Sequence, residues 1–489
     1  MLDVSVLGRL GERLRLEAKS ARGGLPKSMW ETYSAFANTE GGTIVLGVEE
    51  APDGSLDPVG VERPERLVSD IWNAVTNPAR VSANILTSGD VRVERAVSAA
   101  GDEVSVVVVE VPRADRLLRP VFVGGNPLTG TYRRNGEGDY RCKPDEYQAM
   151  VRDASAAPLD AAPLPGFTVG ALCSETVAAY RGALASRRPG HPWLPLSDEE
   201  LLVRLGALRR ENGEGPLLCT RAGLLMFGYE HEIVREFPSY FLDYRERYEE
   251  EGGRWSDRVT SGDGEWSGNV FDFWRRVSGR IVSELKRPFS TDGSQLRVDD
   301  TPMHRALREA LVNSLIHADY YGSRPVVAMK FRDRVELSNP GDMRVPAEVA
   351  LRGGVSDARN PTLMKMFSLI EACERAGSGL DAIRAACEAA GAPEIELVEG
   401  REPPRTHLTV FLGAAASLAP SGGAPSPAPP TDEERVLAFL ARVGQASRSE
   451  VQGELGYGST KTKRLLSSMA EAGLLAVRGA GNRVTYVLA

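Results

Sequence analysis

Glu309, Asn313 and His317 recur at four-residue intervals in a stretch, residues 304–317, whose other positions are largely apolar. Four-residue steps drift by only about 40° around a helix of about 3.6 residues per turn, so the three polar side chains share one face. Leu307, Ala310, Leu311, Val312, Leu315 and Ile316 cover most of the remaining circumference, which predicts a well-buried helix. A carboxylate and an amide on a buried face need partners, because an unpaired one costs roughly 1–3 kcal/mol. A carboxylate one turn from an amide suits metal–phosphate chemistry: the amide oxygen can ligate Mg²⁺ while the carboxylate orients a water. An internally satisfied polar core helix has the same spacing, and spacing alone does not separate the two.

The elements that must position this face follow in order. Residues 325–331 and 334–338 have strand character and lead into the turn Asn339-Pro340-Gly341. Residues 374–380 form a glycine-rich turn, with Gly377 and Gly379, that opens a helix. Helix N-termini preceded by glycines present backbone N–H groups to phosphate. From residue 303 to 412 this ordered set resembles the divergent GHKL-type ATPase domain, the histidine-kinase/gyrase/Hsp90-like fold. The resemblance implies a Bergerat α/β sandwich holding ATP with Mg²⁺. It casts Glu309 as the hydrolytic base, Asn313 as the Mg²⁺ ligand, and His317 as a further nucleotide contact. Asn339 and Gly341 fall where the family contacts adenine, Gly377 and Gly379 at the second glycine box, and Arg359 and Asn360 in a lid over residues 353–361. Most members carry an aspartate where Asn339 stands, so nucleotide choice and hydrolysis stay open.

A second resemblance lies at the N-terminus. Residues 34–48 read as a helix end, a glycine turn (Gly41, Gly42) and a buried strand. Preceded by Leu16-Glu17-Ala18-Lys19, this stretch resembles the Schlafen AlbA_2 domain, which implies nucleic-acid binding over residues 1–155. Lys19, Lys27, Arg133 and Arg134 are the candidate phosphate contacts. Schlafen-type nucleases are similar in spacing two acids before the lysine and a third after the strand. That similarity implies Glu12, Glu17 and Glu49 or Glu50 as a metal site for phosphodiester cleavage. A solvated, charged N-terminus and strand end is the other reading.

Composition bounds the rest. A chain of 489 residues forms several domains, and 42% hydrophobic with 26% charged residues is ordinary for a globular protein. A net charge of −8 requires any nucleic-acid contact to use local basic patches. No apolar run approaches about 18 residues, so no membrane span is expected. The N-terminus does not have the pattern of a signal peptide, and the five cysteines are scattered, which leads us to expect a cytoplasmic protein without disulfides.

The expected organisation is α+β and multidomain: an AlbA_2-like α/β domain (1–155), a connecting α/β region (166–300), the GHKL-like domain (301–413), a Pro-rich linker (414–430) and a small winged helix–turn–helix (431–489). Helices are expected at 27–37, 144–152, 201–209, 432–442, 448–455 and 459–472, with wing strands at 475–478 and 484–487. In the tail, Lys461, Lys463 and Arg464 open the third helix, where a recognition helix meets the major groove; dimerisation or protein contact is the competing use of such a domain. Trp255, Trp266, Phe271, Phe273 and Trp274 cluster as core or lid packing rather than as a stacking platform.

Several motifs fail on inspection. Gly453 and Gly458 have P-loop spacing without its lysine, and His231-Glu232 lacks the second histidine of a zinc protease. The reading that results is a cytoplasmic regulator that binds ATP and DNA or RNA, dimerises on nucleotide, and acts through its two flanking modules. A metal-dependent nuclease, in phage defence or RNA cleavage, and a scaffold with a degenerate ATP site are the alternatives.

Overall fold

The computed structural model describes residues 15–52, 54–136, 138–247, 255–283, 285, 300–373, 379–413, 436, 439–440, 445–455, 459–471, 474–478 and 484–488. They fall into two compact units, Met1–Ser417 and Leu418–Ala489. Several mixed sheets with packed helices make this a multidomain α+β chain.

The N-terminal sheet has the order Leu16–Lys19, Gly42–Leu46, Glu103–Val111, Val91–Val97. The first two strands are parallel and the remaining pairs antiparallel. Glu103–Val111 is an inner strand covered on both faces, which is why its valines run unbroken instead of alternating. Val107 and Val109 pack with Ile44, Leu46 and the helices Met29–Ala37 and Pro64–Val75. Val106 and Val108 join Leu16, Val45 and Leu56 on the opposite face. The turn into the second strand admits only glycine. Gly41 has φ +76°, and a Cβ there would meet the Val111 carbonyl oxygen at 2.7 Å; one on Gly42 would meet the Phe36 ring at 2.7 Å.

A six-stranded sheet organises the C-terminal part of this unit. Its order is Asp257–Thr260, Leu242–Glu246, Val326–Lys330, Arg334–Pro340, Pro404–Phe411, Glu396–Arg401. Strands 242–246 and 257–260 come from the stretch the sequence assigned to a connecting region, yet they continue the sheet of residues 326–411. Leu242–Glu246 pairs parallel with Val326–Lys330. Lys330 seals the junction from a fully buried position: its Nζ donates to the Arg280 and Ser283 carbonyls at 2.9 and 3.0 Å and to Ser283 Oγ at 2.8 Å. Periodicity marks such strands but not their neighbours, so this pairing was invisible in the sequence.

Helices of the middle of the chain form an aromatic core of their own. Tyr180 stacks edge-on with Phe227 and Phe271 at 5.3 and 5.4 Å, and Trp274 meets Phe367 at 5.8 Å. Phe271 and Phe273 are fully buried, as core packing requires. Ser197 and Glu200 form a capping box, and the helix is Asp198–Leu205, starting and ending earlier than the 201–209 the sequence suggests. Gly206, at φ +87°, ends it, and a short strand, Leu208–Arg210, follows.

The second unit carries helices Arg448–Leu455 and Ser459–Glu471 with a three-stranded antiparallel sheet ordered 446–447, 485–488, 475–478. Ser447 and Glu450 exchange hydrogen bonds at the start of the first of these helices. Leu466, Met469 and Leu475 pack with Val436, Leu440, Ala446 and Val451. The linker, most of the first tail helix and the turn at 479–482 lie outside the described residues. Among the described residues no helix is long and apolar enough to cross a membrane. All five cysteines are buried and free.

Candidate functional site

The predicted polar stripe stands on the helix Pro302–Ile316, started by Pro302 and by Thr301, whose Oγ1 accepts from the His304 N–H at 3.4 Å. Leu307, Ala310, Leu311, Val312 and Leu315 are fully buried, while Glu309, Asn313 and His317 are half-buried and line one cleft. Leu337, Leu397 and Leu408 from the six-stranded sheet form its apolar floor, and Ile316, Ala350 and Met364 add apolar wall. Asn339 lies at the cleft with 6% exposure, and its side-chain N–H₂ is buried without a hydrogen-bond partner among the described residues. An orphan donor of this kind marks a place where something else is expected to accept.

Gly379, at the start of the helix Gly379–Ala389, closes the polar end. A Cβ there would lie 2.8 Å from Glu309 Oε1 and 2.9 Å from Asn313 Nδ2, so the backbone approaches that stripe as only glycine allows. Gly353, on the adjacent loop with φ +77°, lies still more tightly against the Asp381 carboxylate, 1.9 Å from where a Cβ would stand. Burial, reinforced by the Arg359 and Arg344 cations, holds the His317 imidazole down to about 4, so the ring is neutral at physiological pH.

Other residues expected at a nucleotide have work elsewhere. Arg359 lines the cleft, but its guanidinium is engaged: Nε and Nη2 clamp Asp153 at 2.9 and 2.7 Å, Nη1 donates to the His317 carbonyl, and Nη2 also reaches the Asp342 carbonyl at 2.7 Å. Asn360 caps the stripe helix instead of facing the cleft, donating to the Ile316 and Ala318 carbonyls at 3.1 and 2.8 Å. Gly341, at φ +99°, is required by close approach, since a Cβ would sit 2.8 Å from Arg359 Nη1. Gly377 lies outside the described residues.

In the N-terminal sheet the expected phosphate face does not form from Arg133 and Arg134. Both are buried and committed to carboxylates, Arg133 to Asp342 at 2.7 Å, Arg134 to Glu17 at 2.8 Å and Asp139 at 3.0 Å. Lys19 is spent on Glu17 at 2.8 Å, which leaves Lys27 exposed by itself. Glu17 is thus neutralised by two cations, and Glu49 pairs with Arg22 at 2.8 Å, while Glu50 is exposed. Among the described residues no three His, Cys, Asp or Glu side chains are placed to hold a metal ion; Glu12 lies outside them. The motif residues Ser34, Asn38 and Thr39 act as a latch: Asn38 exchanges hydrogen bonds with the Val121 backbone at 2.7 and 2.8 Å and donates to the Tyr132 carbonyl at 3.0 Å.

An arginine-rich seam that sequence reasoning missed joins the two sheets. Arg113 grips Glu399 at 2.7 Å, Arg152 meets Asp319 at 2.8 Å, and Arg116 reaches Asp357. Asp153 receives Arg344 at 2.9 Å besides Arg359. Burial would raise the Asp153 carboxyl, but these two guanidiniums outweigh it and hold it well below the usual carboxylate range. Arginines three apart at 113, 116 and 119 were the available signal, but only the fold pairs them with acids far away in sequence.

Comparison with known families decides the domain identities. Residues 12–143 match "Schlafen, AlbA_2", and residues 322–409 match HATPase_c_4, described as "Putative ATP-dependent DNA helicase recG C-terminal". The chain carries a Schlafen AlbA_2 domain and a HATPase_c_4 domain. Residues 148–243 between them match a domain of unknown function, DUF8451. The HATPase_c_4 match holds Asn339, Gly341 and Gly379, while the stripe helix lies just before it. No curated protein matches the chain. Among solved structures, the crystal structure of the DIP2311 protein from Corynebacterium diphtheriae is similar at 18% identity and a TM-score of 0.41, covering 97% of this chain and 92% of that one.

In the second unit, Lys463 and Arg464 are exposed on the helix Ser459–Glu471, while Thr462, Leu466 and Met469 are buried. Lys461 lies on the same helix.

Proposed function

We propose that this protein is a nucleotide-controlled regulator that binds ATP in the HATPase_c_4 cleft and engages DNA or RNA through the AlbA_2 domain and a winged-helix tail. The observation that carries the reading is the meeting of an apolar floor, the unpartnered buried amide of Asn339 and the glycine-covered Glu309–Asn313 stripe in one cleft. A purine needs an apolar slot and a polar edge contact, and a metal–triphosphate needs oxygen ligands beside free backbone N–H groups. The residues therefore fit the group. Asn313 would ligate Mg²⁺, Asn339 would meet the base, and Glu309 would orient a water if the nucleotide is hydrolysed. Neutral His317 would add a hydrogen-bonding group without adding charge. Asn339 presents both a donor and an acceptor, where an aspartate only accepts, so the edge of the base is read by an amide.

In this reading nucleotide closes the loop at 353–361, promotes a homodimer and changes how the flanking modules meet nucleic acid. Lys461, Lys463 and Arg464 supply the positive charge of the tail, each phosphate contact adding about one unit to the log–log salt slope. The test is a gel-shift titration of duplex DNA and of single-stranded RNA, with and without Mg²⁺-ATP. The account expects ATP to change affinity at least about fivefold, the size of a modest coupling free energy. Asn313→Ala should abolish the ATP effect, and charge reversal at Lys463 and Arg464 should weaken binding and flatten its salt dependence. Affinity that is indifferent to ATP, or unaltered by the reversal, would refute the corresponding part.

A further inference from the structure

A second cavity lies between the AlbA_2 and HATPase_c_4 domains, on the other side of the Gly341–Asp342 turn from the nucleotide cleft. Arg119 lines it. This side chain is 6% exposed, its Nε is buried without a partner, and it makes no hydrogen bond or ion pair among the described residues. Burial, with Arg113 beside it, pushes the guanidinium down to about 10, which still leaves it charged at neutral pH. A buried cation without a partner is costly and calls for an anion.

The carboxylates of the cavity wall do not supply one. Asp342 is held by Arg133 at 2.7 Å, Asp153 by Arg359 at 2.7 Å and Arg344 at 2.9 Å, and Asp319 by Arg152 at 2.8 Å. Glu146 faces Arg133 at 3.9 Å, and Asp145 is exposed. Asp342 and Asp153 lie near enough to favour the charge on Arg119, yet neither hydrogen-bonds it. Three exposed donors, Ser239, Ser323 and Arg324, complete the lining.

We propose that this cavity is a binding site for a phosphate-type oxyanion, held from within by the Arg119 guanidinium and at the rim by Arg324 and Ser323. The planar fork of Arg119 suits two oxygens of such an anion. A tetrahedral oxyanion keeps further oxygens for the rim donors, which a carboxylate lacks. The site does not rest on the nucleotide reading of the neighbouring cleft.

The test is thermal unfolding of the full chain with inorganic phosphate, chloride balancing the ionic strength, in wild type, Arg119→Met and Asn313→Ala. Phosphate should raise the wild-type and Asn313→Ala midpoints by at least about 2 °C more than that of Arg119→Met, which reports the general salting effect. Without phosphate, Arg119→Met should melt no lower than wild type, having lost an unpaired buried cation. Should that variant misfold, Arg119→Lys decides: loss of the fork should weaken phosphate at least about tenfold. Oligonucleotides with a 5′-phosphate or a 5′-hydroxyl distinguish a nucleic-acid end from free phosphate as the source. A phosphate shift that survives Arg119→Met, no shift in wild type, or an equal Arg119-dependent shift with acetate would overturn the proposal.

Discussion

Glu17 accepts from Lys19 and from Arg134, a guanidinium only 2% exposed that stacks on Phe36 at 5.2 Å. A carboxylate so engaged is a keystone of the AlbA_2 domain. Removing it takes one of two carboxylates from Arg134 and leaves Lys19 without its partner, so Glu17→Ala should destabilise the first unit by about 2 kcal/mol in urea unfolding. A change under about 0.5 kcal/mol, the ordinary range of a surface acid, would reject this role. His317 gives a second prediction with a defined sign. Its folded pKa of about 4 lies below the unfolded value of 6.5, so the unfolded chain binds the extra proton between them. The stability it contributes is complete above about pH 6.5 and is lost as pH falls toward 4. His317→Asn should therefore flatten the fall in melting temperature between pH 7 and 5, and an identical profile in the variant would contradict the burial argument. Both properties were hidden in the sequence, which gives residue type and spacing but not the company a side chain keeps.

The stripe helix was the most legible element, because a polar row in an apolar surface states its own orientation. Its predicted span, 304–317, differs from the observed Pro302–Ile316 only at the ends, where Thr301 and Pro302 set the start. Pairing was not legible: Leu242–Glu246 finds Val326–Lys330 across a long loop, and nothing local encodes that. The helix Pro144–Asp153 is another case, readable as a helix but not as the hinge-pin of the seam. Its last residue, Asp153, holds Arg344 and Arg359, whose side chains are only 8% and 10% exposed. Asp153→Ala should leave Arg359 without its ion-pair partner and Arg344 with only Asp357 at 3.6 Å, and cost about 3 kcal/mol, read as a lower urea midpoint. It should also loosen residues 357–360, visible as faster amide exchange there. Unchanged stability would mean that solvent readily compensates these arginines and that the seam is not a rigid joint.

At the scale of the molecule, the two family resemblances and the separate tail were readable from ordered motifs and from a Pro-rich stretch with no means of forming a core. The seam was not, because complementary charges far apart in sequence declare themselves only in three dimensions. It ties the AlbA_2 domain to the HATPase_c_4 domain through Arg113 and Arg133, and the helix that follows the AlbA_2 domain through Arg152 and Asp153, and the same turn that carries Asp342 borders the Glu309–Asn313 cleft. A ligand that moved this turn would change contacts on both domains, which is the physical content of the regulation proposed above. Everything functional in that account depends on the cleft binding a nucleotide. The most direct measurement is an isothermal titration of the full chain with ATP, with and without Mg²⁺, in wild type and Asn313→Ala. The account predicts binding in wild type that Mg²⁺ strengthens, with the Mg²⁺ increment lost in Asn313→Ala. No heat of binding from wild type at millimolar ATP would contradict it.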